Sequence, residues 1–275
     1  MDDGRAASDD GRVTYLMAGQ LTELDRLQLQ SRVWEPAGWR LLDVIGPGDG
    51  KRVIDVGCGC LGWLRLLSAW VGPDGSCVGS DISENLLEAA GVFVAAAGLG
   101  NVELVWDDLF DSRLPAESFD LVHARFQLAP LGRAEEQVTA LSRLLAPGGI
   151  LVLEDPDTAS WTFSPDAPHA RRLIELILEA FRAAGGDFDA GRTEFELLER
   201  AGLRPRLRAD IVALERGHPY LRLPLQFAAS LRPLLLEHLG EAELDALLAD
   251  VEQELADPRR RGLTFTLVQT WATRG

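Results

Sequence analysis

Cysteine is scarce in this chain: three in 275 residues, two of which, Cys58 and Cys60, sit in one glycine-rich loop. So few thiols build no disulfide framework, and no further ligands stand at metal-site spacing beside them, so they are read as structural or incidental groups and no metal is expected. Basic residues are also in deficit, 27 Lys and Arg against 43 Asp and Glu, for a formal charge of −16. A field of that sign repels phosphate backbones and counts against nucleic acid as a partner, despite the short basic stretch RPRLR from Arg204 to Arg208. Long apolar runs are missing too. None approaches the ~20 residues a membrane-spanning helix needs. The first dozen residues, MDDGRAASDDGR, lack the basic start and apolar middle of a secretory signal, and the expectation is a disordered tail on a cytoplasmic protein.

What remains is a globular balance, 47% apolar and 25% charged, in a length that fits one large domain or two small ones. From Lys51 onward, short β-branched runs alternate with helical patterns, the signature of an α/β fold around a largely parallel sheet. RVIDVG, CVGSDI, VELVW, FDLVHA and GILVLED read as five successive strands. Leu61, Leu64, Leu67 and Val71 recur at helical spacing between the first two. Val138, Leu141, Leu144 and Leu145 mark a helix that APGG stops before the fifth strand, because Pro147 cannot continue it.

Further on, Ala170, Leu173, Ile174, Ile177, Leu178 and Phe181 form one helical stripe ending at Gly185 and Gly186. A helix near Thr193 to Ala201 precedes a sixth strand in LRPRLRADIVAL, and the chain closes with LTFTLVQTWA, where Leu263, Phe265, Leu267 and Trp271 alternate with threonines as in a strand. Two helical segments stand outside the alternation, roughly 21–45 and 218–257. Insertions at one rim of such a sheet usually gather at the ligand, so both are read as a cap over a site.

The stretch VIDVGCGCLGW places Gly57, Gly59 and Gly62 in GxGxxG order between a strand and a helix. Glycines there let backbone approach a ligand closely, which serves dinucleotides and adenosyl cofactors alike. Asp81, at the end of the second strand, is placed to accept hydrogen bonds from ribose hydroxyls of either. Asp55 separates the two: a carboxylate close to the loop opposes a pyrophosphate but suits an ammonium or sulfonium group. After the third strand, WDDLF offers Asp108 to an exocyclic amine, with Leu109 and Phe110 as apolar contacts for a base ring.

The succession VIDVGCGCLGW, VGSDISENLLEAA, NVELVWDDLFD, SFDLVHARFQLAPL and LLAPGGILVLEDPD, running from Arg52 to Asp157, resembles the ordered motifs of class I S-adenosylmethionine-dependent methyltransferases. It is especially similar to the ubiquinone and menaquinone biosynthesis group. The resemblance implies a Rossmann-like, doubly wound seven-stranded sheet of order 3-2-1-4-5-7-6 with the last strand antiparallel. It implies a tail and helical cap over 1–46, and a methyltransferase domain over 47–275 with a helical insertion at about 217–258. It also implies S-adenosyl-L-methionine as cofactor, with Asp55, Gly57, Cys58 and Gly59 around its methionine part. Asp81 would then hold the ribose, Ile82, Asp108 and Leu109 the adenine, and the Ala124 backbone would face the amino group. Tyr15 stands where such enzymes often reach the cofactor carboxylate. Two features depart from the pattern: the third glycine comes one place later than is common, and Ala129 and Pro130 follow the fourth strand where many relatives carry histidine.

Methyl transfer from a sulfonium requires positioning and exclusion of water more than a dedicated catalytic group. His123, Arg125 and Asp155, with Gln127 and Glu154, cluster at the ends of strands four and five and are the candidates for a catalytic role. His169 and His218 flank the expected cap. Trp34, Trp39, Trp63, Trp70, Trp106 and Trp161 are either packing anchors or the lining of an aromatic pocket. The expected function is transfer of a methyl group to an O, N or C nucleophile of a small, largely apolar metabolite by a monomer or homodimer. The alternatives are a cyclisation or rearrangement that leaves the methyl in place, a non-catalytic binder of the adenosyl cofactor, and a nicotinamide-dependent oxidoreductase.

Overall fold

The computed structural model describes residues 21–275; the N-terminal stretch expected to be a tail, and Tyr15 with it, lies outside the described residues. Residues Arg52–Val56 form β1, buried at every position but the first, because the strand runs through the middle of a sheet covered on both faces. That burial explains its unbroken apolar reading. Ser76–Asp81 (β2) and Val102–Trp106 (β3) follow on one side of it, Phe119–Arg125 (β4) and Leu145–Asp157 (β5) on the other, all parallel. Arg204–Asp210 (β6) and Thr266–Thr273 (β7) complete the sheet, whose order is β3-β2-β1-β4-β5-β7-β6 with β7 antiparallel to both neighbours. This is the order and handing expected from the motifs. The order in which strands are added switches from one side of β1 to the other between β3 and β4, and in sheets of this kind ligands bind at the carboxyl ends of the strands at that switch point.

Helices α2 (Leu64–Val71), α3 (Glu84–Ala97), α5 (Ala134–Leu144) and α7 (Glu194–Arg200) join the strands, with α4 (Leu128–Leu131) a single turn after β4. Ser83 caps α3 by accepting from the Leu86 N–H, and Gly98 ends it in the left-handed conformation. The long α1 (Leu21–Ile45) packs with α6 (Pro168–Ala183), α8 (Leu223–Leu235) and α9 (Glu241–Leu255) around a second core. Trp34 of α1 and Phe265, just before β7, are both buried there.

Two sequence expectations shift in detail. The α5 helix stops at Leu144, but Leu145 is already the first residue of β5, so the APGG segment lies within the strand's span, opposite an irregularity in register between Phe119 and Leu121. The closing run is not one strand. Arg261–Leu263 pairs with Thr162–Ser164 and Ala213–Leu214 in a small antiparallel sheet, and β7 starts only at Thr266. Thr264 causes the break: its N–H donates to the Val212 carbonyl at 3.1 Å and its hydroxyl accepts from the Val212 N–H at 3.0 Å. Phe265 then turns into the core while Leu263, expected inside, is 41% exposed.

Candidate cofactor and acceptor site

Beyond β1 the chain turns through Gly57 and Gly59 at φ of +65° and +58°, torsions that only glycine adopts without strain. Two hydrogen bonds fasten this loop to β2: the Cys58 N–H donates to the Ser80 carbonyl at 2.9 Å, and the Gly59 N–H to Asp81 Oδ2 at 2.9 Å. The other oxygen of Asp81 accepts from the Ser83 N–H at 2.8 Å. Burial raises the pKa of this carboxyl above its ordinary value, outweighing the backbone donors that favour the anion. At the loop's far end Gly62 packs so tightly that a Cβ there would stand 2.1 Å from Asp55 Oδ2.

A cavity of about 470 Å³ opens at the carboxyl ends of β1 to β4, a size ordinary for small-molecule sites. One part of its wall is the glycine loop with Asp81, Ile82, Asp108 and Leu109; the other is aromatic, with Phe126, Phe181, Phe188, Phe227 and Phe265. Asp108 Oδ1 accepts from the Phe110 N–H at 3.0 Å and so caps the short turn after β3. The phenylalanines touch edge to face, Phe188 lying 5.3 Å from Phe227 and 5.9 Å from Phe265. Three cations line the same space: Arg26 of α1, 4.8 Å above the Phe227 ring, Arg125, whose guanidinium lies 5.7 Å from the Phe126 ring centre, and Arg133, 3.9 Å above the Phe110 ring and paired with Glu136.

Gly57, Cys58, Gly59, Asp81, Ile82, Asp108 and Leu109 thus come together on one cavity, with Arg125 beside them. Asp55, Ala124, His123 and Asp155 do not line it. Asp55 is 1% exposed and its carboxylate turns across the sheet toward β4, where Oδ1 lies 2.7 Å from His123 Nδ1 while Oδ2 accepts from the Trp63 N–H at 2.6 Å. The physical reason is register: Asp55 and His123 are direct neighbours on adjacent strands. Asp55 therefore does not discriminate between a pyrophosphate and a sulfonium in the cavity, because both of its oxygens are engaged inside the sheet, by His123 and the Trp63 N–H.

His123 is fully buried, its ring stacked on Trp63 at 4.0 Å and its second nitrogen 3.1 Å from Glu154 Oε2. Burial pulls its pKa down, but the attraction of Asp55 and Glu154 outweighs this and leaves it raised. Asp155 is likewise fully buried and accepts from the Ala129 N–H at 2.9 Å and the Leu128 N–H at 3.3 Å. His169 meets Glu254 and Asp250 on the surface, and His218 caps the turn that precedes α8.

None of the seven tryptophans lines the cavity. Trp34 packs on Phe265 and Tyr220, Trp161 stacks on Phe188 behind the wall, and Trp106 is exposed with its indole N–H on the Ile82 carbonyl. Phe110, expected as a base contact, does line it; the five phenylalanines of the aromatic wall carried no site signal in the sequence, Phe181 and Phe265 standing only in apolar patterns.

Residues 53–149 match the model of a methyltransferase domain family. Over 136 residues, 48% of this chain and 49% of the relative, the sequence is 35% identical to the nocamycin O-methyltransferase of Saccharothrix syringae. It is 38% identical to the demethylmenaquinone methyltransferase of Geobacillus kaustophilus over 38% of this chain and 44% of that one. It is also 31% identical to the aklanonic acid methyltransferase of a Streptomyces species, over 61% of this chain and 75% of the relative. The chain spans about half the length of the first two of these relatives. A SAM-dependent methyltransferase from Aquifex aeolicus shares the fold, with a TM-score of 0.53 at 18% identity over 91% of this chain and 99% of that one. The sheet, the glycine loop and these matches define a Rossmann-like enzyme fold of the methyl-transferring class. The chain belongs to the class I S-adenosylmethionine-dependent methyltransferases.

Proposed function

We propose that the protein transfers the methyl group of S-adenosylmethionine to a small, largely apolar acceptor held against the phenylalanine wall. The observation that carries the reading is the continuity of one cavity between a glycine loop with two carboxylates and a face built of aromatic rings. The residues present fit the cofactor. Left-handed glycines leave backbone free to approach its methionine part, and Asp81 retains lone pairs for ribose hydroxyls beyond those used by Gly59 and Ser83. Ile82 and Leu109 offer apolar contact for an adenine ring, and Asp108 an acceptor for its amine. Arg26 and Arg125, on the wall beside the glycine loop, are cations for a carboxylate, while Arg133 on the same lining is paired with Glu136.

When bound, the sulfonium supplies an electrophilic methyl carbon for in-line displacement. The protein's share of the work is to hold the acceptor's lone pair in line and keep water out, which the apolar wall does. Among the described residues no histidine lines the cavity, and with His123, Glu154 and Asp155 buried behind it, Arg125 and Gln127 are the sequence candidates on its wall. The aromatic wall serves an acceptor that arrives as an anion or a neutral amine, which needs no base in place. In the same reading α1 and the segment 217–258 act as a cap, and the protein is a cytoplasmic monomer or homodimer acting on a small molecule rather than nucleic acid. Among the described residues no helix is long and apolar enough to cross a membrane.

The reading is tested by titrating the purified protein with S-adenosylmethionine, S-adenosylhomocysteine and NADH, then incubating it with methyl-labelled cofactor and a panel of aromatic, aliphatic and polar acceptors. Binding of the adenosyl pair and label in aromatic acceptors are expected. Binding of NADH alone, or label confined to polar acceptors, would overturn it.

A further inference from the structure

The peptide between Gly62 and Trp63 ends the glycine loop and leads into α2, and it is gripped at both of its polar groups. Its N–H donates to Asp55 Oδ2 at 2.6 Å. Its carbonyl accepts from the Ser31 hydroxyl at 2.9 Å and from Arg125 Nη2 at 3.4 Å, and Arg125 also donates to Ser31. Behind the peptide the two grips are joined. Asp55 Oδ1 lies 2.7 Å from His123 Nδ1, His123 Nε2 lies 3.1 Å from Glu154 Oε2, and that same oxygen is 4.0 Å from Arg125 Nε. Asp55, His123, Glu154 and Arg125 thus form a closed circuit around a single peptide unit.

We propose that His123 is a positioning residue for the cofactor: bridging Asp55 and Glu154, it completes a ring of side chains that fixes the Gly62–Trp63 peptide and so the shape of the glycine loop. The inference rests on the reading that this loop holds the adenosyl cofactor. Only an imidazolium carries N–H on both ring nitrogens and donates to both carboxylates; the neutral ring turns a lone pair against one of them. With the charge in place, the ring of two carboxylates, one guanidinium and one imidazolium is balanced in a site without solvent, where an unmatched charge is costly. The Trp63 indole stacked at 4.0 Å covers one face of the imidazole, and Gln269 donates to the remaining oxygen of Glu154.

His123 acts through Asp55 and Glu154 and touches no cofactor itself, so its signature is a pH profile. The charged and titratable groups around it are Asp55 on β1, Arg125 on β4, and Glu154 with its neighbour Asp155 on β5. Glu194 of α7 reaches Glu154 electrostatically, and the thiols of Cys58 and Cys77 reach Asp55. Burial, with the neighbouring acids, raises the carboxyls of Asp155 and Glu194 so that each tends to keep its proton, which leaves Asp55 and Glu154 as the partners of the His123 cation. Loss of the His123 proton therefore loosens the grip on the loop, and cofactor affinity falls as pH rises.

The experiment is calorimetric titration with S-adenosylhomocysteine from about pH 6 to pH 9 on the wild type, His123→Gln and, as a surface control, His238→Gln, alongside ¹⁵N spectra of the wild-type imidazoles. The wild type and His238→Gln are expected to lose affinity on the order of tenfold across the range, in step with the change of the His123 ring from doubly protonated to neutral. His123→Gln is expected to bind more weakly at the acid end and to show no such slope. Equal binding by His123→Gln with the wild-type slope, or an equal defect in His238→Gln, would overturn the proposal. If His123→Gln does not fold, the wild-type spectra decide, and a ring already neutral at the acid end would overturn it. A folded wild type that binds no adenosyl compound at any pH would instead defeat the cofactor reading, and this inference with it.

Discussion

The Gly59 N–H donates to Asp81 Oδ2 at 2.9 Å, so the carboxylate at the end of β2 fastens the glycine loop as well as facing the cavity. Asp81→Ala removes the anchor of the loop together with the ribose acceptor. Affinity for S-adenosylhomocysteine is expected to drop by about 1–3 kcal/mol, the cost of losing charged hydrogen bonds. Asp81→Asn, which keeps one carbonyl oxygen for Gly59, is expected to lose less. Calorimetry of both variants checks this, and unchanged affinity in Asp81→Ala would remove Asp81 from the cofactor site.

The two glycines at the loop's end differ in what surrounds them. Both hold positive φ, so an alanine at either is expected to lose about 1–2 kcal/mol from the left-handed torsion alone. At Gly59 a Cβ meets nothing nearer than Leu27 at 3.9 Å, whereas at Gly62 it would stand 2.1 Å from Asp55 Oδ2 and 2.7 Å from the Cys58 carbonyl. Gly62→Ala must therefore displace the carboxylate that holds the Trp63 N–H, and denaturant midpoints should fall clearly further for it than for Gly59→Ala. Equal losses would mean that the Asp55 contact is slack.

How far the sequence reached depends on how local each feature is. The strands were legible because buried parallel strands read as continuous β-branched runs, and their order followed from five motifs in succession. Asp81 and Asp108 were legible as cavity residues because Asp81 is the last residue of β2 and Asp108 stands two places after β3, at the sheet's carboxyl rim. Asp55 stands as close to the glycines as either, yet its direction is decided by a partner 68 residues away, His123. The spacing of either residue carries no trace of that pairing. The acceptor wall was illegible for the same reason: Phe126, Phe181, Phe188, Phe227 and Phe265 come from five separate places and meet only when α6 and α8 close on the sheet. Tryptophan drew attention because it is large, and in this fold the tryptophans pack behind the site.

Phe265 joins the two parts of the molecule. Its ring lies 5.3 Å from Trp34, 5.8 Å from Phe126 and Trp161, and 5.9 Å from Phe188, and it is 1% exposed. Phe265→Ala is expected to cost about 3–5 kcal/mol of stability, as for other fully buried aromatic truncations. Phe126→Leu, at a half-buried position on the cavity wall, is expected to spare stability and raise KM for the acceptor while leaving cofactor affinity alone. Thermal melts and acceptor kinetics separate the two, and a Phe126→Leu enzyme with unaltered acceptor KM would take Phe126 out of the acceptor wall.

Asp155 makes stability depend on pH in a direction opposite to ordinary acid denaturation. Burial is the dominant influence on its carboxyl and pushes its pKa to about 8, against the opposing pull of the Ala129 and Leu128 N–H donors and with the help of Glu154 nearby. In the unfolded chain the same group titrates near 3.9. Between those two values the folded state holds a proton that the unfolded state has lost, so stability falls as pH rises through the window and levels off above about 8. His123, with its raised pKa, pushes the same way: its contribution is complete below its ordinary value of 6.5 and is lost as pH rises through the folded one. The contributions separate by substitution. Asp155→Asn keeps an oxygen for the Ala129 N–H and carries no charge, so its thermal midpoint should decline less than the wild type's between about pH 5 and pH 8. Identical slopes in the two proteins would mean that Asp155 ionises at its ordinary value, with the two backbone donors compensating the charge in the core.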